Sequence, residues 1–159
     1  MGKHHHHHHE GCIRPEPERL LKDALEKARA AGLRRTKALE DVLSILINAC
    51  QPLTLADIAD SKDLDSGADK ATVYRLLMKL EERSLIRRLG LRDRSAYYTI
   101  IVPEEHHDYL ICKDCGRIEK LDISCPVQVL EKQIGKKSGF KNIYHELEFY
   151  GQCPDCSHA

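Results

Sequence analysis

Two C-x-x-C pairs constrain this chain more than any other feature: Cys112 and Cys115 in "LICKDCG", and Cys153 and Cys156 in "YGQCPDC". Thiolates two residues apart can turn toward one ion, and two such pairs complete a four-sulfur shell that suits zinc. A lone pair would equally suit a redox dithiol; the second pair argues against that. The seven cysteines are an odd number, and their paired spacing fits metal binding in a reducing compartment better than a disulfide scaffold. Zinc across the pairs would pin the chain end beside the strand carrying Cys112. A unit this small has little core, so the binding free energy would become folding free energy. Cys12 beside the histidine run and Cys50 on an expected helix read as packing or exposed thiols.

Residues 1–10, "MGKHHHHHHE", read as an affinity tag with its linker and are set apart from the fold. The remainder suits one ordinary domain or two small ones. Nothing in it approaches the apolar length needed to cross a bilayer, and no secretory signal is visible, so the expected location is the cytoplasm, with no membrane partner. The net charge of zero conceals an asymmetry: residues 11–95 carry 17 Lys/Arg against 14 Asp/Glu, and residues 96–159 carry 7 against 10. The basic excess lies between Lys70 and Arg94. Alone, such a patch is most often a solvated face.

The front of the chain is helical in pattern. Glu18 to Ala31 holds helix formers and ends at Gly32, while Thr36 can cap a helix with Leu39, Val42, Leu43 and Leu46 on one stripe. "TLAD" at 54–57 resembles a capping box with Asp at its end. After the turn "DLDSGAD", Val73, Leu76, Leu77 and Leu80 form another stripe, and Lys70, Tyr74, Arg75 and Lys79 project from the opposite face. "LIRRLGLRDRSAYYTI" reads as a β-hairpin with an arginine-rich bend. Helices followed by a basic hairpin give the pattern of a winged helix-turn-helix, in which a helix fills the major groove and the wing reaches phosphates. A plain helical bundle is the alternative.

The texture changes near residue 103. The fold class expected is α+β: a winged helix-turn-helix over residues 11–100, then a small zinc-stabilised α/β domain over 101–159. In the latter, two strands flank the first C-x-x-C, a helix opens at Pro126 and ends near Gly139, and "KNIYHELEFYG" alternates as a strand with Ile143, His145, Leu147 and Phe149 on one face. If residues 106–111 are extended, His106 and Asp108 share a face and His107 points elsewhere. His106, Asp108 and His145 then make a candidate second metal site, although a histidine on an apolar face is often a hydrogen-bonded core residue.

"ATVYRLLMKLEERSLI", "HHDYLICKDCG" and the paired cysteines, in this order and spacing, resemble the ferric uptake regulator (Fur) family over most of the chain. The resemblance implies a dimeric, metal-dependent repressor with an N-terminal winged helix and a C-terminal dimerisation unit. It implies double-stranded DNA as partner, with an A·T-rich palindromic operator. Thr72, Tyr74 and Arg75 in "TVYR", with Lys70 one turn earlier, fall on the recognition helix; Arg34 falls where the family reaches the minor groove. The four knuckle cysteines match the structural zinc site, and His106, Asp108 and His145 match a second site for a divalent metal, zinc, iron or manganese. The glutamate expected there falls at Gln128, with Cys125 nearby as a substitute. At the hinge site only His107 survives, since Pro52, Tyr98 and Tyr109 stand where ligands are expected.

The expected function is metal-responsive repression. Its rivals are constitutive DNA binding with purely structural zinc, peroxide sensing within the same family, and a small zinc enzyme. Four cysteines close the shell that a zinc hydrolase must leave open, and no H-E-x-x-H occurs, so enzyme activity is not expected.

Overall fold

The computed structural model describes residues 16–49, 51–90, 96–102, 107–121, 123–141 and 143–157. Cys12, Cys50, the wing bend at 91–95 and His106 therefore lie outside the described residues. Among those described, the chain forms two compact units: Met1–Arg87 with Tyr98–Ile100, and Arg88–Tyr97 with Ile101–Ala159.

The first unit is helical. It contains α1 (Pro17–Ala30), α2 (Lys37–Ala49), α3 (Leu55–Ala59) and α4 (Lys70–Glu82). Each begins or ends where local chemistry requires. Thr36 Oγ1 accepts from Leu39 N at 3.2 Å at the start of α2. Thr54 and Asp57 form the reciprocal capping box of α3, with Thr54 N donating to Asp57 Oδ2 at 2.8 Å and Asp57 N to Thr54 Oγ1 at 3.1 Å. Asp69 caps α4 by accepting from Thr72 N at 2.7 Å. The stripes pack inward: Val42, Leu43, Leu46, Ile58, Val73 and Leu77 are all buried. Burying each such side chain contributes about 1.5–3 kcal/mol. Ala24 and Ala28 let α1 lie close on α2, and Arg83 at the end of α4 donates to Ala31 O at 3.0 Å.

A short strand β1 (Leu53–Thr54), β2 (Ile86–Leu89) and β3 (Tyr97–Ile100) form a three-stranded sheet ordered β1-β3-β2, the arrangement of a helix-turn-helix with a wing. The second unit has its own sheet, ordered β5-β4-β6, from β4 (Asp108–Cys112), β5 (Ile118–Leu121) and β6 (Glu148–Gly151). The β4–β5 pair is antiparallel across the first C-x-x-C turn, and β6 returns parallel to β4 with Leu110 opposite Phe149 and Cys112 opposite Gly151. A parallel return needs a crossover, which α5 (Gln128–Ser138) supplies; Gly139 ends it at φ +75°. The expected long strand over 143–150 is shorter. Residues 143–147 are irregular, although exposure still alternates through Tyr144, His145 and Glu146. No residue of α5 is buried within the chain, so its apolar stripe, Val129, Leu130 and Ile134, faces outward.

One buried charge organises the first unit. Asp41, 4% exposed on α2, pairs with Lys37 Nζ at 2.7 Å and accepts from Ser66 N at 2.7 Å. It thereby anchors the loop between α3 and α4, whose turn at Gly67 has φ +62°. Burial alone would push the Asp41 carboxyl up, but Lys37 and Ser66 outweigh it and hold it below the usual range. A carboxylate lowered in the folded state gives stability that is present above its unfolded pKa and lost as pH falls through the folded value. Asp41→Ala is expected to lower unfolding free energy by about 1–3 kcal/mol by leaving Ser66 N–H unsatisfied. In urea titrations the gap between parent and variant should narrow once pH falls below 3.8, the carboxyl's ordinary value. A gap that stays unchanged well below that pH would show that Asp41 is not carrying this charge.

Candidate metal centre and nucleic-acid interface

The second unit's sheet builds the cysteine cluster. β4 ends at Cys112, and the following turn is closed by Gly116 N donating to Cys112 O at 2.9 Å and Cys112 N to Arg117 O at 2.8 Å. Cys153 follows β6 and opens α6 (Pro154–Ser157), whose first turn is made by Cys156 N donating to Cys153 O at 3.0 Å. The parallel register aligns the two knuckles, and Lys113 N donates to Gly151 O at 2.8 Å between them. The four sulfurs consequently lie within 4.8 Å of one another, Cys115 and Cys153 at 3.7 Å. Around them, Arg117 bridges Glu119 at 2.5 Å and Asp155 at 3.0 Å, and Gln152 reaches Asp114 at 2.5 Å.

The electrostatics of the cluster call for a cation. Burial pushes the Cys112 thiol up, yet N–H donors of Cys115, Cys153 and Asp114 outweigh it and bring it down to about 6. Burial raises Cys115, and Cys156 is pushed up to about 12, first by its bond with Cys153 and then by burial. One thiol is thus lowered while Cys115 and Cys156 are raised, chiefly by burial and by hydrogen bonds among the thiols. A divalent ion offsets those rises, and a set of four thiols is the donor chemistry zinc takes. The residues fit.

The other sequence-derived candidates are placed less tightly. His145 Nε2 lies 2.9 Å from Cys125 Sγ, and His145 Nδ1 lies 2.7 Å from Glu131 Oε1. Cys125 therefore lies beside His145, and the carboxylate that meets the ring is Glu131, which the sequence patterns did not single out. Gln128, one turn earlier, is exposed at the start of α5. Asp108 is 3% exposed on β4. Among the described residues, the four cysteines are the group of metal-capable atoms that comes within 4.8 Å of one another; Asp108 and His145 are not drawn into a second such group. His107 is half-buried, and Tyr98 and Tyr109 are buried on β3 and β4.

The DNA candidates lie in the first unit. Val73, Leu77 and Leu80 bury one side of α4, which leaves Lys70, Tyr74 and Arg75 exposed on the other. Arg75 Nη2 donates to Thr72 Oγ1 at 3.2 Å, so the guanidinium is already held along the helix. Arg34 is exposed in the segment joining α1 to α2.

The ferric uptake regulator family model matches residues 30–150, a span that takes in α4, the first C-x-x-C pair and most of the second sheet. The chain belongs to this family. A Legionella pneumophila ferric uptake regulation protein is 32% identical over 133 residues, covering 82% of this chain and 96% of the relative. The peroxide operon regulator of Bacillus subtilis is 33% identical over 141 residues, covering 86% and 93%. The Helicobacter pylori ferric uptake regulator Fur, whose structure reveals three functional metal binding sites, superposes with a TM-score of 0.67 at 28% identity, covering 90% of this chain and 95% of that one. Fur-family proteins are transcription regulators, not enzymes; they bind DNA and act as dimers.

Replacing Cys153 by serine is expected to lower zinc content below one per chain and to reduce the melting temperature of the C-terminal unit, read by elemental analysis and calorimetry. Full zinc content with an unchanged melting profile would remove Cys153 from the set.

Proposed function

We propose that this chain is a cytoplasmic, homodimeric repressor whose affinity for an A·T-rich palindromic operator depends on a divalent metal. The observation that carries the reading is the family match across both the helix bearing Tyr74 and Arg75 and the sheet bearing the knuckles. Zinc on Cys112, Cys115, Cys153 and Cys156 is structural in this reading. His106, Asp108 and His145, with Gln128 or Cys125 nearby, carry the second metal, zinc, iron or manganese. The exposed apolar stripe of α5 suits a second copy, since a patch of this kind on a lone chain invites association.

The chain's own residues account for DNA recognition. Each α4 enters the major groove of one half-site, and a two-fold dimer spaces half-sites about one helical turn apart. Tyr74 offers an apolar ring to a thymine methyl, Arg75 a fork to a guanine or a phosphate, and Lys70 a charge to the backbone. Arg34 suits a narrow A·T minor groove. A bound divalent ion supplies a cross-link between side chains, which shifts the population toward the DNA-competent form.

Constitutive binding is the second reading. It is favoured by the buried Tyr98 and Tyr109, which stand where the resemblance expects hinge ligands. Titrating metal while following operator binding separates the two: dependence on metal supports the first, and affinity indifferent to chelation supports the second. Arg75→Ala is expected to weaken a specific site by about 1–3 kcal/mol if the side chain reads a base, and to flatten the salt dependence if it holds phosphate. Equal affinity of parent and variant at every salt concentration would sink the assignment.

A further inference from the structure

The loop 124–127, the helix α5 and the segment before β6 bring Cys125 and Glu131 against opposite sides of the His145 ring, outside the four-cysteine cluster. The half-buried Cys125 comes from the loop, Glu131 from the first turn of α5, and His145 from the segment. The order of contact matters more than the composition. Glu131 Oε1 meets Nδ1 at 2.7 Å, and Cys125 Sγ meets Nε2 at 2.9 Å, so the ring separates the carboxylate from the sulfur. A carboxylate on Nδ1 fixes the tautomer with its proton there and leaves Nε2 as a lone pair. That is how histidine ligands are oriented at metal sites, with the carboxylate behind the ring and not on the ion. The lone pair and the sulfur then meet directly at 2.9 Å, two metal-capable donor atoms side by side.

We propose that Cys125 Sγ and His145 Nε2 are ligands of this chain's second metal site and that Glu131 is a positioning residue behind the imidazole. The site is thereby directed toward borderline-soft divalent ions, zinc or cobalt, over manganese or iron(II). The inference rests on the reading that the second unit binds a second metal, and it names which metal class. A thiolate and an imidazole suit zinc, whereas oxygen-rich sets suit manganese. On binding, the Cys125 thiol gives its proton to solvent and the sulfur–metal bond takes its place. Gln128, exposed and uncharged, has no part in this assignment.

The test is a cobalt(II) titration of protein that lacks the histidine run at 4–9 and holds one zinc per chain. Cobalt bound through sulfur gives an intense charge-transfer absorption in the near ultraviolet, which oxygen and nitrogen ligands do not. The parent should bind one further equivalent with that band, and zinc, but not manganese, should displace it. Cys125→Ser should abolish the band, with zinc content and melting temperature showing that the fold and the four-cysteine site are intact. Glu131→Ala should keep the band and weaken cobalt binding about 10–100-fold, as loss of an orienting carboxylate does; Glu131→Gln, which can still accept from Nδ1, should recover part of it. A second equivalent with the same spectrum in parent and Cys125→Ser would overturn the inference and leave the metal-responsive reading standing. No second equivalent at all, with operator binding indifferent to metal, would overturn both.

Discussion

The four thiols of Cys112, Cys115, Cys153 and Cys156 hold the second unit to its topology. The link between β4 and β6 is parallel, so the strands are joined only through the long crossover that α5 provides. Strands of four and five residues on a sheet with little buried area are marginal by themselves. The knuckles close that sheet at the ends of β4 and β6, where Cys112 lies opposite Gly151, and the Arg117 bridge to Asp155 adds a charged tie outside them. Within the described part of this unit the fully buried apolar set is small, with Tyr109, Ile111 and Cys112 on one strand. The metal-binding chemistry thus stands in for the core that the unit does not have.

That economy explains the surface. A helix that turns Val129, Leu130 and Ile134 outward does not stabilise the chain that carries it. In the dimer proposed above the same face would become interior, so that folding of the unit and association of two copies would draw on one apolar stripe. The first unit needs no such help, because α2, α3 and α4 bury their stripes on one another.

Much of this was legible in the sequence, and the exceptions have physical causes. The Thr54–Asp57 box, the Val73–Leu77–Leu80 stripe and the four cysteines are local patterns, and each reads from residue spacing alone. The carboxylate beside His145 did not. Gln128 and Glu131 lie three residues apart on the same helical face, so periodicity cannot choose between them; only the position of the segment before β6 does, and that is a tertiary fact. The strand expected over 143–150 was too long for a similar reason. Alternation at Tyr144, His145 and Glu146 reports which way side chains face, whereas a strand also needs a partner, and β4 provides one only from Glu148 onward. The burial of Tyr98 and Tyr109 was equally hidden, since tyrosine is as common at surfaces as in cores.

The tie from Asp41 to Ser66 bears on how α4 meets a ligand. A loop left to fluctuate would have to be frozen on docking, at a cost of about 1–2 kcal/mol for each residue so fixed. Here the carboxylate holds the loop between α3 and α4 from within the helical core, and Asp69 sets the first turn of α4 at the loop's far end. The helix is delivered already aimed. Rigidity of this sort raises affinity without adding a contact, and in the DNA complex proposed above it would make a residue remote from the groove a contributor to how tightly the groove is gripped.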